Sequence, residues 1–454
     1  MKNDARILAY LILNQFEKTN SKLNQIINEV YVKYNPSNNI KSRSVVISNE
    51  VVRLRSRLDL MIEHVSGKSI NYLDRPLKTI LRIGFYEVVI DDEIPDYAAI
   101  NSIVNIAKRN LNRKATGFTN AILRKLTRLK NQDNNWLKLL EKNDAWNSLP
   151  IWMQKRWKNL FTKIEFNQLV ECVNTPPSNF IRIDPDQCTL EEVKYILEDI
   201  GIKSTIFSKL FLKSGSGFGK IFQTDLFKNG IISIQNPASA AIVDCINAKK
   251  GESILDVCAA PGTKSLYLSS IVGKDGIILA SDISSERVEN GKIDVKRHGK
   301  NNIKWDVKDA TKDSFPMTNR ILIDAPCTGT GIIRRKSDIR WRRSLDDVYE
   351  MSKIQLRILT HCSKFLNPSG TLVYATCSLE IEENWMVVEQ FLKLNNDFSL
   401  DYIPSEVPGE WVDDKAHDVK WMSHEGRAKL MARLEDDFTN RMCGTMDDDS
   451  MIEP

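Results

Sequence analysis

The chain has 454 residues, 42% of them hydrophobic and 27% charged, the proportions of a soluble globular protein with room for two or three cores. No uninterrupted apolar run approaches the roughly 18 residues of a membrane-spanning helix, and eight scattered cysteines without a C-x-x-C pair argue for free thiols and against a disulfide framework. The net charge of +5 is mild, yet residues 1–130 hold 22 Lys+Arg against 12 Asp+Glu, so the amino-terminal third carries the excess.

The first residues, MKNDARILAYLILNQFEK, have no small-residue cleavage site and read as an amphipathic helix, which makes a cytoplasmic location the expectation. From Ala5 to about Leu129 glycine and proline are scarce and apolar residues recur at helical spacing, as in Ile7, Leu8, Leu11 and Ile12; residues 1–130 are therefore expected to be all-helical. Pro76 and Pro95 mark helix starts or turns. Residues 101–130 contain Lys108, Arg109, Arg113 and Lys114 among further cations and no acid. A second basic run holds Arg334, Arg335, Arg340 and Trp341. Most charge runs are solvated helix faces, but two of them, one with an aromatic that can stack on a base, point to a nucleic acid.

Residues 131–175 read as a linker with short helices, and residues 176–240, with FIRID and IFQTDLFKNGIISIQNP, as a small α+β segment. In residues 241–405 five apolar runs, SILDVC, GIILASDI, NIKWDV, RILIDAP and GTLVYATC, alternate with helix-like stretches. This is the pattern of an α/β unit with a doubly wound, mostly parallel, Rossmann-like sheet. Residues 406–454 are read as a divergent acidic tail; residues 401–454 hold 14 acids and 6 bases.

In such sheets ligands bind at the carboxyl ends of the strands. The first run ends in Asp256, followed by Cys258, Ala259, Ala260, Pro261, Gly262, Thr263 and Lys264, small residues that let a backbone approach a ligand ahead of a helix N-terminus. Neither a phosphate loop nor a G-x-G-x-x-G fingerprint is present. Asp282 follows the second run, where an acid can accept ribose hydroxyls, and Asp309 the third, where one can reach an adenine amino group. Singly, such acids are usually caps; in succession they favour a nucleoside-bearing cofactor. Asp324 and Cys327 end the fourth run and Cys377 the fifth. A lone cysteine is usually a small buried hydrophobe, but two on the active edge of adjacent strands suggest a nucleophile. No metal site is expected.

At these residues the sequence resembles the S-adenosylmethionine-dependent RNA cytosine-5 methyltransferases: LDVCAAPGTKS, LIDAPCTGTG, GIIRRKSDIRW and LVYATCS stand in that family's order, and residues 76–126 resemble a NusB-type RNA-binding domain. The resemblance spans about residues 1–405 and implies S-adenosylmethionine as cofactor. It further implies Cys377 as nucleophile toward carbon 6 of cytosine, Cys327 as the cysteine that assists adduct breakdown, and Asp324 near the reactive centre. The loop 258–264, Asp282 and Asp309 would hold the cofactor. The partner implied is 16S ribosomal RNA, free or in an early assembly intermediate, with no membrane and a monomeric enzyme. A cytosine-5 methyltransferase acting on transfer RNA or another ribosomal RNA site, or a non-catalytic RNA-binding assembly factor, are the alternatives. Thr263 stands where the family commonly has a second glycine, and Asp184 where asparagine is usual.

Overall fold

A computed structural model describes residues 4–91, 94–132, 135–215 and 217–401; the acidic segment 406–454 lies outside them. The chain forms two units, one taking in the chain up to Pro176 together with Ile332–Arg343, the other Pro177–Gly331 and the chain from Ser344 onward.

In the first unit, α1 (Ala5–Phe16), α2 (Leu23–Tyr34), α3 (Asn38–Arg53), α4 (Arg55–Ser66), α5 (Arg75–Phe85), α6 (Asp96–Asn110) and α7 (Arg113–Gln132) follow one another. The three- and four-residue apolar spacing becomes one shared core, in which Leu8, Ile12, Ile26, Ile47, Leu58, Ile80, Ile103 and Leu123 are buried. Asp4 caps α1 through the Arg6 amide. Glu87 is buried beneath Arg6 (2.5 Å) and Arg43 (3.2 Å), so its charge is compensated. Residues read as a linker form α8 (Trp136–Leu140), α9 (Ile151–Leu160) and α10 (Lys163–Val173), the last opened by a Thr162/Glu165 capping box.

The second unit begins with an antiparallel four-stranded sheet in the order β2-β3-β1-β4, built from β1 (Asn179–Ile183), β2 (Ser204–Ser208), β3 (Phe211–Ser214) and β4 (Ile232–Ile234) with α11 (Leu190–Asp199) and α12 (Asp225–Lys228). Asp184, the residue at odds with the family pattern, is buried and paired with Lys300 at 2.9 Å. After α13 (Pro237–Asp244) come β5 (Ser253–Val257), α14 (Thr263–Val272), β6 (Ile277–Asp282), α15 (Ser285–Arg297), β7 (Ile303–Val307) and β8 (Thr318–Asp324). The chain then contributes Ile332–Arg343, with the short helix α16 (Ile339–Arg342), to the first unit. It returns with α17 (Leu345–Cys362), β9 (Leu366–Ala375) and α18 (Trp385–Leu394).

The five apolar runs are thus β5 to β9, all parallel, in the order β7-β6-β5-β8-β9. The sheet is covered by two apolar clusters, one including Ile254, Leu266 and Leu322, the other Leu255, Ile321 and Leu359. Burial on both faces is what turns these strands into near-continuous apolar runs. The order reverses between β5 and β8, and a crevice at their carboxyl ends is the expected ligand site.

Candidate active site

The loop after β5 is held by the acid that ends β6. The Ala260 amide donates to Asp282 Oδ2 at 3.2 Å, the Ser284 amide to Asp282 Oδ1 at 3.0 Å, and Arg287 pairs with the same carboxylate at 3.1 Å. Gly262 has φ +106, and a Cβ there would stand 2.8 Å from the Trp305 ring; the position therefore demands glycine. Lys264, in the first turn of α14, reaches Asp324 at the end of β8 with a 2.6 Å ion pair. Asp256 is fully buried; Ser265 Oγ donates to its Oδ2 at 2.6 Å while Oδ1 has no hydrogen-bond partner. Burial pushes its carboxyl up to about 7, the Ser265 hydrogen bond opposing. An orphaned carboxylate oxygen, a close-approach glycine and converging acids fit a nucleoside-bearing, cationic cofactor such as S-adenosylmethionine.

Asp309 is placed differently. Its Oδ1 accepts from the Thr311 amide (2.9 Å) and hydroxyl (2.7 Å), and these bonds hold its carboxyl below the usual range. It caps its own turn, leaving Oδ2 toward Lys312 at 3.5 Å.

Cys327 and Cys377, from loops fifty residues apart in sequence, meet with their sulfurs 3.1 Å apart, and the Cys377 amide donates to Cys327 Sγ at 3.3 Å. The hydrogen bond to Cys377 and burial push the Cys327 thiol well above the ordinary cysteine value. Cys188, Cys245, Cys258 and Cys362 are likewise thiols.

The two basic runs separate. Lys108, Arg109, Arg113 and Lys114, at the end of α6 and the start of α7, are exposed. The second run requires correction at Arg340, which is interior to the first unit, whereas Arg334, Arg335 and Trp341 are half-buried. Arg340 is 0% exposed and donates to the carbonyls of Arg53, Ser148 and Val173 and to Asn174 Oδ1. Trp341 Nε1 donates to the Val52 carbonyl at 2.7 Å, and Arg334 is held by Thr175 and Pro176. Burial lowers the pKa of Arg334, Arg335 and Arg340. Arg340 builds the fold and is not presented to a ligand, while Trp341 is partly buried against the helical core.

Glu383 was not among the residues singled out, yet it is 0% exposed and accepts from the Thr328 amide at 2.8 Å and from the hydroxyls of Thr328 and Ser378. Its place in EIEEN, just before a helix, resembles an ordinary acidic cap, which is why sequence reasoning passes over it. Among the described residues no group of three or more His, Cys, Asp or Glu is arranged to hold a metal ion, and no helix is long and apolar enough to cross a membrane.

Residues 243–434 match the model of the 16S rRNA methyltransferase RsmB/F family and residues 3–128 that of the NusB family. The former match runs past residue 405, into the segment read as a tail. The chain is 28% identical over 416 residues to the "Probable ribosomal RNA small subunit methyltransferase B" of Synechocystis, covering 90% of this chain and 92% of that one. It is 29% identical over 369 residues to the ribosomal RNA small subunit methyltransferase B of Photorhabdus laumondii, covering 78% and 82%. The solved structure of PH0851 matches with a TM-score of 0.70 at 25% identity, over 89% of this chain and 93% of that one. With a NusB-family match ahead of a parallel sheet whose carboxyl edge carries the candidate cofactor loop and paired cysteines, the chain is an S-adenosylmethionine-dependent methyltransferase whose residues 243–434 match the RsmB/F family of 16S rRNA methyltransferases.

Proposed function

We propose that this enzyme methylates carbon 5 of a cytosine in 16S ribosomal RNA, with Cys377 as covalent nucleophile. The observation that carries the reading is the 3.1 Å approach of Cys327 and Cys377 at the strand ends that also hold the cofactor loop. Two thiols in that relation suit a reaction in which one sulfur adds to a ring and must later be expelled. The names of the relatives support 16S ribosomal RNA as the substrate.

Carbon 5 of cytosine is a poor nucleophile. Addition of the Cys377 thiolate to carbon 6 breaks the 5,6 double bond and makes carbon 5 enamine-like. S-adenosylmethionine, when bound, supplies an electrophilic methyl group. Asp324, held by Lys264, is assigned to the cytosine edge, where sharing a proton with N3 relieves the charge built up during addition. After methylation the carbon 5 proton passes to a water or, once it has given up its own proton, to Cys327; the double bond re-forms and Cys377 leaves as thiolate. A cytosine inside a duplex is out of reach, so the target is unpaired or flipped out. Lys108, Arg109, Arg113 and Lys114, exposed on the helical unit, would grip phosphates and set position rather than base identity.

The test is methyl transfer from labelled S-adenosylmethionine to protein-free 16S ribosomal RNA, with adducts resolved on a denaturing gel. Label on cytosine that vanishes in Cys377→Ala, with a stalled protein–RNA adduct in Cys327→Ala, is the expected result. Undiminished transfer by Cys377→Ala would overturn the covalent role, and labelling of transfer RNA alone would overturn the substrate.

A further inference from the structure

The cysteine loops are tied together behind the sulfurs. Thr328 follows Cys327 and Ser378 follows Cys377. The Glu383 carboxylate takes the Thr328 amide at 2.8 Å, the Thr328 hydroxyl and the Ser378 hydroxyl. Gln355 Nε2, on α17, donates both to Glu383 at 3.0 Å and to the carbonyl of Pro326, the residue before Cys327, at 2.9 Å. Asn384 adds a second grip on the other loop, its Nδ2 donating to the Ser378 carbonyl at 2.7 Å.

Every donor that reaches the Glu383 carboxylate among the described residues is neutral, and the residue is fully buried. A carboxylate buried without a cation is an expensive way to hold two loops if packing alone were needed. What it supplies is a set of charge-assisted bonds of fixed length and direction. We propose that Glu383 is a positioning residue for the reaction, its carboxylate bridging the residue after Cys327 and the residue after Cys377 so as to fix the separation of the two sulfurs. The inference rests on the assignment of Cys377 and Cys327 to the covalent chemistry, although the separation itself can be measured without it.

Glu383→Gln keeps the shape but turns one acceptor into a donor facing donors. The first readout is independent of catalysis: oxidation by diamide, in which the two thiols lose two protons and two electrons to the reagent and form one S–S bond, followed as the Cys327–Cys377 cross-linked peptide. Closure is expected to slow at least about tenfold in Glu383→Gln, and kcat to fall by about 10- to 100-fold, the cost of roughly an ångström of misplacement. The KM for RNA and the dissociation constant for S-adenosylmethionine are expected to stay within about twofold, since Glu383 is fully buried behind the sulfurs. Closure and kcat both near wild type would overturn the proposal, as would loss of kcat together with cofactor affinity, which marks a general structural role. Should Glu383→Gln fail to fold, Thr328→Val and Ser378→Ala, each removing one tie, are judged by the same two readouts. If Cys377→Ala remains active, the covalent reading fails, while the closure rate still decides what Glu383 does to the sulfurs.

Discussion

Arg340 Nη1 donates to the main-chain carbonyl of Arg53 at 3.0 Å, although both side chains are buried, at 0% and 2% exposure. Two interior guanidinium groups coexist because their neighbours are oxygens: Arg340 is ringed by carbonyls, and Arg53 Nε pairs with Glu50 at 3.0 Å. Removing Arg340 orphans several acceptors at once. Arg340→Ala is expected to destabilise the protein by about 3 to 5 kcal/mol, and Arg340→Lys by about 2 kcal/mol or more, because an ammonium cannot reproduce the planar fork. Urea unfolding midpoints check both, and a midpoint for Arg340→Ala close to wild type would refute the account.

Gly262 tests the cofactor loop. An alanine there meets the Trp305 ring at 2.8 Å from a backbone at φ +106, so either the loop or the tryptophan must move. Gly262→Ala is expected to weaken S-adenosylmethionine binding by at least about tenfold while costing about 1 to 3 kcal/mol of stability. Isothermal titration calorimetry with the cofactor gives the first figure and thermal melting the second.

His298 gives the protein a predictable weakness in acid. Burial and the neighbouring Arg297 depress its pKa from 6.5 to about 4, and its Nε2 lies 2.7 Å from Arg297 Nη2 and 3.2 Å from Ser233 Oγ. Between these pH values the unfolded chain binds more protons than the folded one. This contribution is therefore complete above about pH 6.5 and is lost as pH falls toward 4, amounting to about 1 to 3 kcal/mol. In His298→Gln the slope of stability against pH over that window should flatten, as followed by urea midpoints at pH 4.5, 5.5 and 7.0; an unchanged slope would remove His298 from the explanation.

The exposed cations at the α6–α7 turn carry a prediction about salt. Replacing Lys108, Arg109, Arg113 and Lys114 together by glutamine should reduce the slope of log affinity for RNA against log salt by about 3, at roughly 0.7 to 0.9 per phosphate contact. Fluorescence anisotropy with labelled RNA from 50 to 300 mM salt measures it. A slope equal to wild type would place the RNA elsewhere.

Much of the catalytic unit is legible in the primary structure because its signals are local. Each of β5 to β9 is an apolar run, and Asp256, Asp282, Asp324, Cys327 and Cys377 all stand at the sheet's carboxyl edge as their positions implied. What is not local was not readable. Arg340 and Trp341 sit in a run of cations that looks solvated, and only the tertiary fold shows Arg340 surrounded by carbonyls from Arg53, Ser148 and Val173 and Trp341 bonded to that of Val52. Glu383 has the opposite disguise, since its donors come from Thr328, Gln355 and Ser378, none of which marks it in sequence.

The excursion of Ile332–Arg343 into the first unit has a consequence for how this gene can be cut. A fragment ending near Pro176 would carry the whole stretch that matches the NusB family and still lack Arg340, Trp341 and Asp338, whose carboxylate receives the Leu23 amide at 3.0 Å. The helical unit is therefore modular in shape but discontinuous in genetic terms. Swapping it between relatives would require exchanging two separate stretches of coding sequence, and supplying residues 332–343 as a separate peptide should restore stability to the truncated fragment.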